Sequence, residues 1–202
     1  WMHHPIAPKP HAEEKFRITI GGPDCTKPYS ASVFNISAMS FGALSANAVR
    51  ALNGGARKGG FAHDTGEGGF SSHHREFGGD IIWEIGSGYF GCRNDDGTFC
   101  AEKFAKQAAE PQVKMIEIKL SQGAKPGHGG VLPAPKVSAE ISQARGVPMG
   151  IDCVSPARHS AFTSPIEMMY FIAKLRELSK GKPVGFKLCI GHPWEFMGIC
   201  KA

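Results

Sequence analysis

The chain has 202 residues, of which 42% are hydrophobic and 20% are charged, and this balance excludes a disordered chain and favours one soluble globular domain. The net charge is +5, but no run of Lys and Arg exceeds two residues, which argues against nucleic acid as a partner. No apolar run is long enough for a membrane span and no signal peptide is recognisable, so we expect a cytoplasmic protein.

The six cysteines show no C-x-x-C spacing, so we expect reduced, buried thiols. The chain starts at Trp1 and stops at Ala202 inside a predicted helix, so we expect it to be a piece of a longer protein. His3, His4 and His11 lie in a proline-containing arm, and because no further ligand stands at a fixed spacing, no metal site is predicted.

The first predicted elements divide the chain into an N-terminal arm with a short strand, residues 1–32, and the body of an α/β domain, residues 33–202. Alternation over residues 16–20 predicts the short strand, which ends at a Gly-Gly-Pro turn. Residues 33–39 are mostly apolar and predict a buried strand.

A helix is predicted over residues 46–58, with Ser45 as its N-cap and Gly59-Gly60 as its end. Its predicted apolar face consists of Ala48, Ala51, Leu52 and Ala56.

Residues 61–65 predict the next strand, which opens into a glycine-flanked glutamate, Glu67. The glycines could simply form a turn with Glu67 in solvent, or they could present its carboxylate at an active site. His73–Arg75 follows and is predicted to be a polar surface loop. Residues 81–85 predict a further strand.

The stretch from Ile116 to Pro133 begins as a strand over residues 115–120 and then breaks into a glycine-rich loop. Lys119, Gln122 and Lys125 stand at this strand end, and two ammonium groups with an amide suit an anionic or carbonyl-rich ligand. The alternative is a solvated turn with surface lysines.

The remaining elements are predicted from the same signals. Ser164-Pro165 begins a helix whose predicted core face is Ile166, Met169, Tyr170, Ala173, Leu175 and Leu178. The others are helices over 101–109, 137–144 and 194–202, a strand over 184–188, and a strand or extended loop over 147–154.

Strands that alternate with helices predict a parallel sheet. Glycine and polar residues at the strand ends predict a barrel with its site at the C-terminal face. The fold class is therefore α/β, and we expect a partial (β/α)8 TIM barrel of roughly the first five βα units.

Four blocks in order resemble the FMN-binding domain of the glutamate synthase large-subunit family. They are Ala38–Ser45 (AMSFGALS), Thr65–Gly69 (TGEGG), Lys119–Pro133 (KLSQGAKPGHGGVLP) and Val184–Leu188 (VGFKL), with a looser match at Ile85–Gly91. The blocks span about residues 36–190. The resemblance implies the first part of a flavin barrel, with the phosphate-binding loops and the iron–sulfur cysteines lying beyond this chain.

The resemblance also implies which residues bind the cofactor. Met39 and Ser40 would lie against the flavin ring, while Lys119, Gln122 and Lys187 would bond its polar edge. A positive charge there would stabilise the anionic reduced ring.

For the substrate, the resemblance implies reduction of 2-iminoglutarate, formed from 2-oxoglutarate and ammonia, to glutamate. Lys125 and Arg145 would bind substrate carboxylates. Lys125 and Glu67 would be the catalytic residues, with Glu67 handling protons or coupling ammonia arrival to reduction. Amidotransferase and electron-donor subunits would be the partners, and relatives of this kind can carry a membrane segment upstream.

Two departures from the family pattern leave the substrate open. Val131 stands where the family has a substrate-contacting glutamine, and His128 where it usually has glutamate. An enzyme that makes N-substituted glutamates is therefore an alternative, and so is a barrel that only serves as a scaffold or binding module. With an open sheet edge, these residues alone would self-associate.

Overall fold

The structure is a computed structural model and describes residues 6–7, 16–120 and 127–202. Its strands are β1 (Arg17–Ile20), β2 (Tyr29–Ser32), β3 (Ala62–Asp64), β4 (Asp80–Ile85), β5 (Val113–Lys119), β6 (Val131–Leu132), β7 (Cys153–Val154) and β8 (Val184–Lys187). Its α-helices are α1 (Ala46–Gly59), α2 (Ser72–Arg75), α3 (Ala101–Ala108), α4 (Ala139–Arg145), α5 (Pro165–Leu178) and α6 (Pro193–Lys201).

The centre of the molecule is a four-stranded parallel sheet in the order β3-β4-β5-β8. These strands confirm the four that the sequence predicts over 61–65, 81–85, 115–120 and 184–188. Their spatial order follows their order in the chain, as in the wall of a barrel, so the α/β class is established and a partial barrel is consistent with it.

One face of this sheet packs against helices and forms the main core. Trp83 of β4 stacks on Phe104 of α3, with ring centroids 5.2 Å apart, and Ile116 of β5 and Leu175 of α5 are fully buried in the same cluster. Because side chains alternate along a strand, the residues between these apolar positions point to the opposite face. That second face carries the charged residues.

Helix α1 begins and ends as predicted. The Ala48 N–H donates to Ser45 Oγ over 3.2 Å, and Gly60 ends the helix in the left-handed conformation at φ +69°. Its predicted face is right at Ala56 and wrong elsewhere, since the other buried residues are Val49 and Asn53. Asn53 lies at the centre of that face because its Oδ1 accepts the Gly79 N–H. A pattern of apolar residues does not predict a buried asparagine.

The predicted buried strand over residues 33–39 is also wrong. Val33 and Phe34 are each 63% exposed. The segment meets β3 through a bridge of Ile36 opposite His63 and through the Met39 N–H, which donates to Asp64 O over 3.1 Å. The polar side chain of Asn35 interrupts the segment, because its Oδ1 accepts the Ala62 N–H and its Nδ2 donates to Ser32 O. The regular strand lies just before it, where β2 pairs antiparallel with β1.

Helix α5 begins at the predicted cap, and Leu175 of its predicted core face is buried, but most of the buried residues differ from the prediction. Its buried residues are Met168, Phe171, Ile172 and Leu175, whereas Tyr170, which the pattern placed in the core, is 72% exposed. The first turns are apolar on nearly every side, so periodicity cannot select the face.

The predicted strand or extended loop over 147–154 contains only the short strand β7, which pairs antiparallel with β6. Among the described residues, no helix is both long and apolar enough to cross a membrane.

Candidate functional site at the strand ends

Charged side chains from four neighbouring strands share the sheet face that the helices leave open. Asp64, Glu84 and Glu117 lie on β3, β4 and β5, and Glu84 and Glu117 are register partners. Lys119 and Lys187 are register partners at the ends of β5 and β8. Parallel strands bring their C-terminal ends to one edge, so all five side chains form one group, called here the strand-end cluster.

Ion pairs connect the strand-end cluster. The Lys187 ammonium contacts Glu84 Oε2 directly and lies 3.8 Å from Glu117 Oε2. The Lys119 ammonium lies 3.9 Å from Glu84 Oε1 and 3.4 Å from Oε2 of Glu67, which stands on the turn after β3. The Glu84 side chain is 0% exposed, so its charge depends on these lysines for compensation.

Burial and like charges alter the protonation of this group. Burial, followed by the negative charges of Glu84 and Glu117, raises the pKa of Asp64 well above its usual range. Burial also raises the pKa of Glu84, although the Lys187 ammonium opposes the rise. Burial would lower the pKa of Lys187, but its bond to Glu84 and the surrounding carboxylates raise it, so Lys187 remains a cation at neutral pH.

The three carboxylates could also hold a metal ion. Asp64, Glu84 and Glu117 each offer an oxygen within 4.8 Å of the others. The Lys187 ammonium already bonds to Glu84 and lies near Glu117, so lysine supplies the compensating positive charge and we assign no metal here. The arm histidines named in the sequence analysis lie outside the described residues.

The segment with Met39 and Ser40 packs tightly on the turn that presents Glu67. Gly66 has φ +64°, and a Cβ added there would lie 2.8 Å from the Ser40 backbone nitrogen. At Gly68, an added Cβ would lie 3.0 Å from Ser40 Cβ. Both glycines are therefore needed because two backbone segments meet at this point.

His74 supports the same segment from beneath. It was predicted to lie in a surface loop, but it is fully buried in α2, and that prediction is wrong. The Ser71 N–H donates to its Nδ1, so Nε2 carries the proton and donates to the Met39 carbonyl over 3.2 Å. A histidine with both nitrogens satisfied by nearby backbone is buried at little cost, which hydropathy alone does not reveal.

Arg145 ends α4 and is 6% exposed. Its Nη2 donates to Phe41 O over 3.3 Å and its Nη1 lies 3.6 Å from Cys153 Sγ, while its Nε has no hydrogen-bond partner in the part of the chain that the structure describes. A Cβ added at Gly68 would lie 3.2 Å from Nη2, so the guanidinium reaches the turn of Glu67. Within the described residues no carboxylate forms an ion pair with it, and an uncompensated buried cation is costly.

The structure thus brings most of the sequence-predicted site residues to one region. Glu67 joins Lys119, Lys119 stands beside Lys187, and the segment of Met39 and Ser40 borders the same turn, which Arg145 approaches from α4. Gln122 and Lys125 lie outside the described residues.

The carboxylates of the strand-end cluster were not predicted from the sequence. Glu84 stands between Trp83 and Ile85, and Glu117 between Ile116 and Ile118. A charge between apolar strand residues, a pattern that Lys119 shares between Ile118 and Leu120, is the signal that could have found them.

Comparison with known proteins decides the family. The model of the conserved region in glutamate synthase matches residues 12–202. The chain belongs to the glutamate synthase family.

Curated members of the glutamate synthase family show how much of such a protein the chain represents. The glutamate synthase large subunit-like protein YerD of Bacillus subtilis is 45% identical over 178 residues, covering 87% of this chain and 34% of that protein. The archaeal-type glutamate synthase [NADPH] of Thermotoga sp. is 38% identical over 157 residues, covering 77% of this chain and 28% of that protein. The archaeal glutamate synthase [NADPH] of Methanocaldococcus jannaschii is 38% identical over 158 residues, with shares of 78% and 28%.

The chain therefore spans about a third or less of the length of these relatives. The strand-end cluster lies within the region that the family model matches.

Proposed function

We propose that the chain forms part of an FMN-dependent oxidoreductase of glutamate synthase type, which reduces 2-iminoglutarate to glutamate. The observation that supports this most strongly is the placement of Lys119 and Lys187 side by side at the ends of adjoining parallel strands. In this proposal residues 33–202 are the first five βα units of a TIM barrel, whose active site lies at that end of the sheet.

The hydrogen-bond donors at the strand ends are of the kind that would bind the polar edge of a flavin ring. Lys119 and Lys187 offer ammonium donors for the polar edge of the ring, and Gln122 would add an amide. Met39 and Ser40 would lie against the ring, on a segment whose close packing on Gly66 and Gly68 was described above. When bound, reduced FMN would supply a hydride to an electron-poor carbon, while the protein holds the reactants in register and stabilises charge.

Arg145 is the proposed receptor for a substrate carboxylate, together with Lys125. A buried guanidinium whose Nε finds no partner among the described residues is satisfied best by an anion, and 2-oxoglutarate carries two carboxylates. Glu67 is close enough to Lys119, at 3.4 Å, to exchange or orient protons beside that site.

A substrate with a substituent on nitrogen is the second candidate. Val131 is 59% exposed on β6 and cannot donate the amide hydrogen bond that the family's glutamine provides. His128 is exposed and borders a recess shared with Glu67 and Lys119. These two departures from the family pattern are the reason to test an N-substituted glutamate as product.

The other components of the proposal concern the complete protein. Electron-donor and amidotransferase subunits would supply reducing equivalents and ammonia, and an iron–sulfur cluster would use cysteines outside this chain. Nucleic acid has no place in this reaction. A cytoplasmic location remains our prediction.

The substrate assignment can be tested by replacing Arg145 with Met in the full-length protein. We expect the affinity for 2-oxoglutarate, measured from the perturbation of the flavin spectrum, to fall about 10- to 100-fold, the value of one charged hydrogen-bonded contact. The matched control is Arg50→Met on α1, which removes a surface ion pair with Glu76 and should change nothing.

Two results would count against this assignment. Unchanged keto-acid affinity in Arg145→Met would place the carboxylate elsewhere. Loss of bound FMN together with the keto acid would make Arg145 a cofactor or structural residue.

A further inference from the structure

Glu84 contacts both lysines of the strand-end cluster through different oxygens. Its Oε2 bonds to the Lys187 ammonium, and its Oε1 lies 3.9 Å from that of Lys119. We propose that Glu84 is a positioning residue, whose one buried carboxylate holds the two ammonium groups side by side at the ends of β5 and β8. This goes beyond the proposed function, although its importance for a cofactor rests on it.

Other carboxylates near the lysines do not have this double contact. In the contacts between described residues, Glu117 reaches only Lys187, at 3.8 Å, and Glu67 reaches only Lys119, at 3.4 Å. Asp64 is engaged by the backbone, since its Oδ1 accepts the Gly66 N–H over 2.8 Å. Among the described residues, Glu84 is the carboxylate that contacts the lysines of both β5 and β8.

The backbone also fixes Glu84 in place. Its N–H donates to Thr65 Oγ1 over 3.1 Å, and β4 is the strand between β3 and β5. A carboxylate anchored on a central strand moves less than one on a turn. The position of both ammonium groups is therefore set by a residue on a rigid element.

Removal of this carboxylate has a definite physical consequence. Lys119 and Lys187 are register partners, and like charges placed opposite each other on neighbouring strands repel. Without Glu84, Lys187 would retain Glu117 and Lys119 would retain Glu67, but no single carboxylate among the described residues would contact both ammonium groups. They would separate, and Lys187 would lose its proton more readily, since its bond to Glu84 helps to raise its pKa.

The test compares lysine reactivity in the full-length protein without added FMN. Acetic anhydride labels neutral amines, and mass spectrometry reports the labelling rate of each lysine at a fixed, mildly alkaline pH. In Glu84→Gln we expect Lys187 to be labelled about ten times faster than in the wild type, which corresponds to one pKa unit. Glu84→Asp should restore slow labelling in part, and Glu117→Gln, the matched control, should have a smaller effect.

Two results would overturn the proposal. One is unchanged labelling of both lysines in a folded Glu84→Gln protein, and the other is an equal or larger effect of Glu117→Gln. If Glu84→Gln does not fold, the wild-type pH profile decides. Labelling of Lys187 should then reach half its maximum above the pKa of a free lysine side chain, about 10.4, and a lower midpoint contradicts the proposal.

Addition of FMN separates this inference from the proposed function. If the proposed function holds, FMN should slow the labelling of Lys119 and Lys187 in the wild type. Absence of protection would refute the flavin assignment, whereas the effect of Glu84→Gln without FMN would still decide the positioning role.

Discussion

His63 lies in the middle of β3 with no exposed surface, and neither of its ring nitrogens has a hydrogen-bond partner among the described residues. Burial lowers its pKa to about 4, so the imidazole is neutral in the folded protein at ordinary pH. The neighbouring His74, with both nitrogens bonded, also has its pKa lowered by burial, to about 3. Both residues are buried, but only the ring nitrogens of His74 have hydrogen-bond partners among the described residues.

We therefore predict that His63→Leu leaves the free energy of unfolding at pH 7.5 unchanged or raises it by up to about 1 kcal/mol, because an unsatisfied polar group is removed. His74→Leu, the control, should lower it by about 1–3 kcal/mol, because the Met39 carbonyl and the Ser71 N–H lose their partner. Urea titrations measure both values. A clear destabilisation by His63→Leu would show that its nitrogens are satisfied.

The same residue predicts a pH dependence. In the unfolded chain a histidine has a pKa near 6.5, so below that pH the unfolded state binds protons that folded His63 binds only near pH 4. The contribution of neutral His63 to the free energy of unfolding is therefore fully present above pH 6.5. It falls as the pH drops from 6.5 towards 4. His63→Leu should lose less stability than the wild type between pH 7.5 and 5, and equal losses would contradict this.

Lys187→Met tests the electrostatics of the strand-end cluster. In the FMN-loaded full-length protein we expect a lower flavin midpoint potential, because an ammonium beside the ring is lost and carboxylates remain. By Coulomb's law the reduced flavin should become less stable by about 1–3 kcal/mol. Lys119→Met should act in the same direction. Spectroscopic redox titration measures the shift, and unchanged potentials in both variants would place these lysines away from the ring.

At the scale of elements, the sequence predicts helix ends better than helix faces. Ser45, Ser164, Gly60 and Gly146 act as caps because their function depends on local backbone geometry. The buried face depends on what the helix meets, so Asn53 on α1 could not be foreseen. The residues that the family motifs mark were predictable, whereas Glu84 is recognised as part of the site only when β5 and β8 are placed beside it.

The turn between β3 and α2 offers a test of backbone geometry. Gly66→Ala should destabilise the protein by about 2 kcal/mol or more, because Ala is disfavoured at φ +64° and its Cβ would meet the Ser40 nitrogen. The matched control is Gly55→Ala inside α1, where no atom lies within 4 Å of an added Cβ. It should stabilise by about 0.5–1 kcal/mol. Thermal unfolding compares the stability of the two variants. Equal changes would show that the backbone conformation of Gly66 and its contact with Ser40 do not constrain this turn.

For the whole molecule, the described sheet has four parallel strands, whereas a closed barrel of the proposed kind has eight. We expect residues 1–202 alone to self-associate through the edge of β8 and to bind FMN weakly, since loops after the last barrel strands usually hold the phosphate. Light scattering and calorimetry measure both properties. A monodisperse monomer with micromolar FMN affinity would be inconsistent with a partial barrel.

The central claim, that the strand-end cluster serves a flavin, is tested most directly by the visible absorption spectrum of the purified full-length protein. We expect the bands of bound, oxidised flavin. They should disappear on anaerobic reduction and return when 2-oxoglutarate and ammonia, or an amine in the case of an N-substituted product, are added. A colourless protein that takes up no FMN on reconstitution would contradict the claim and would leave the chain as a scaffold or binding module.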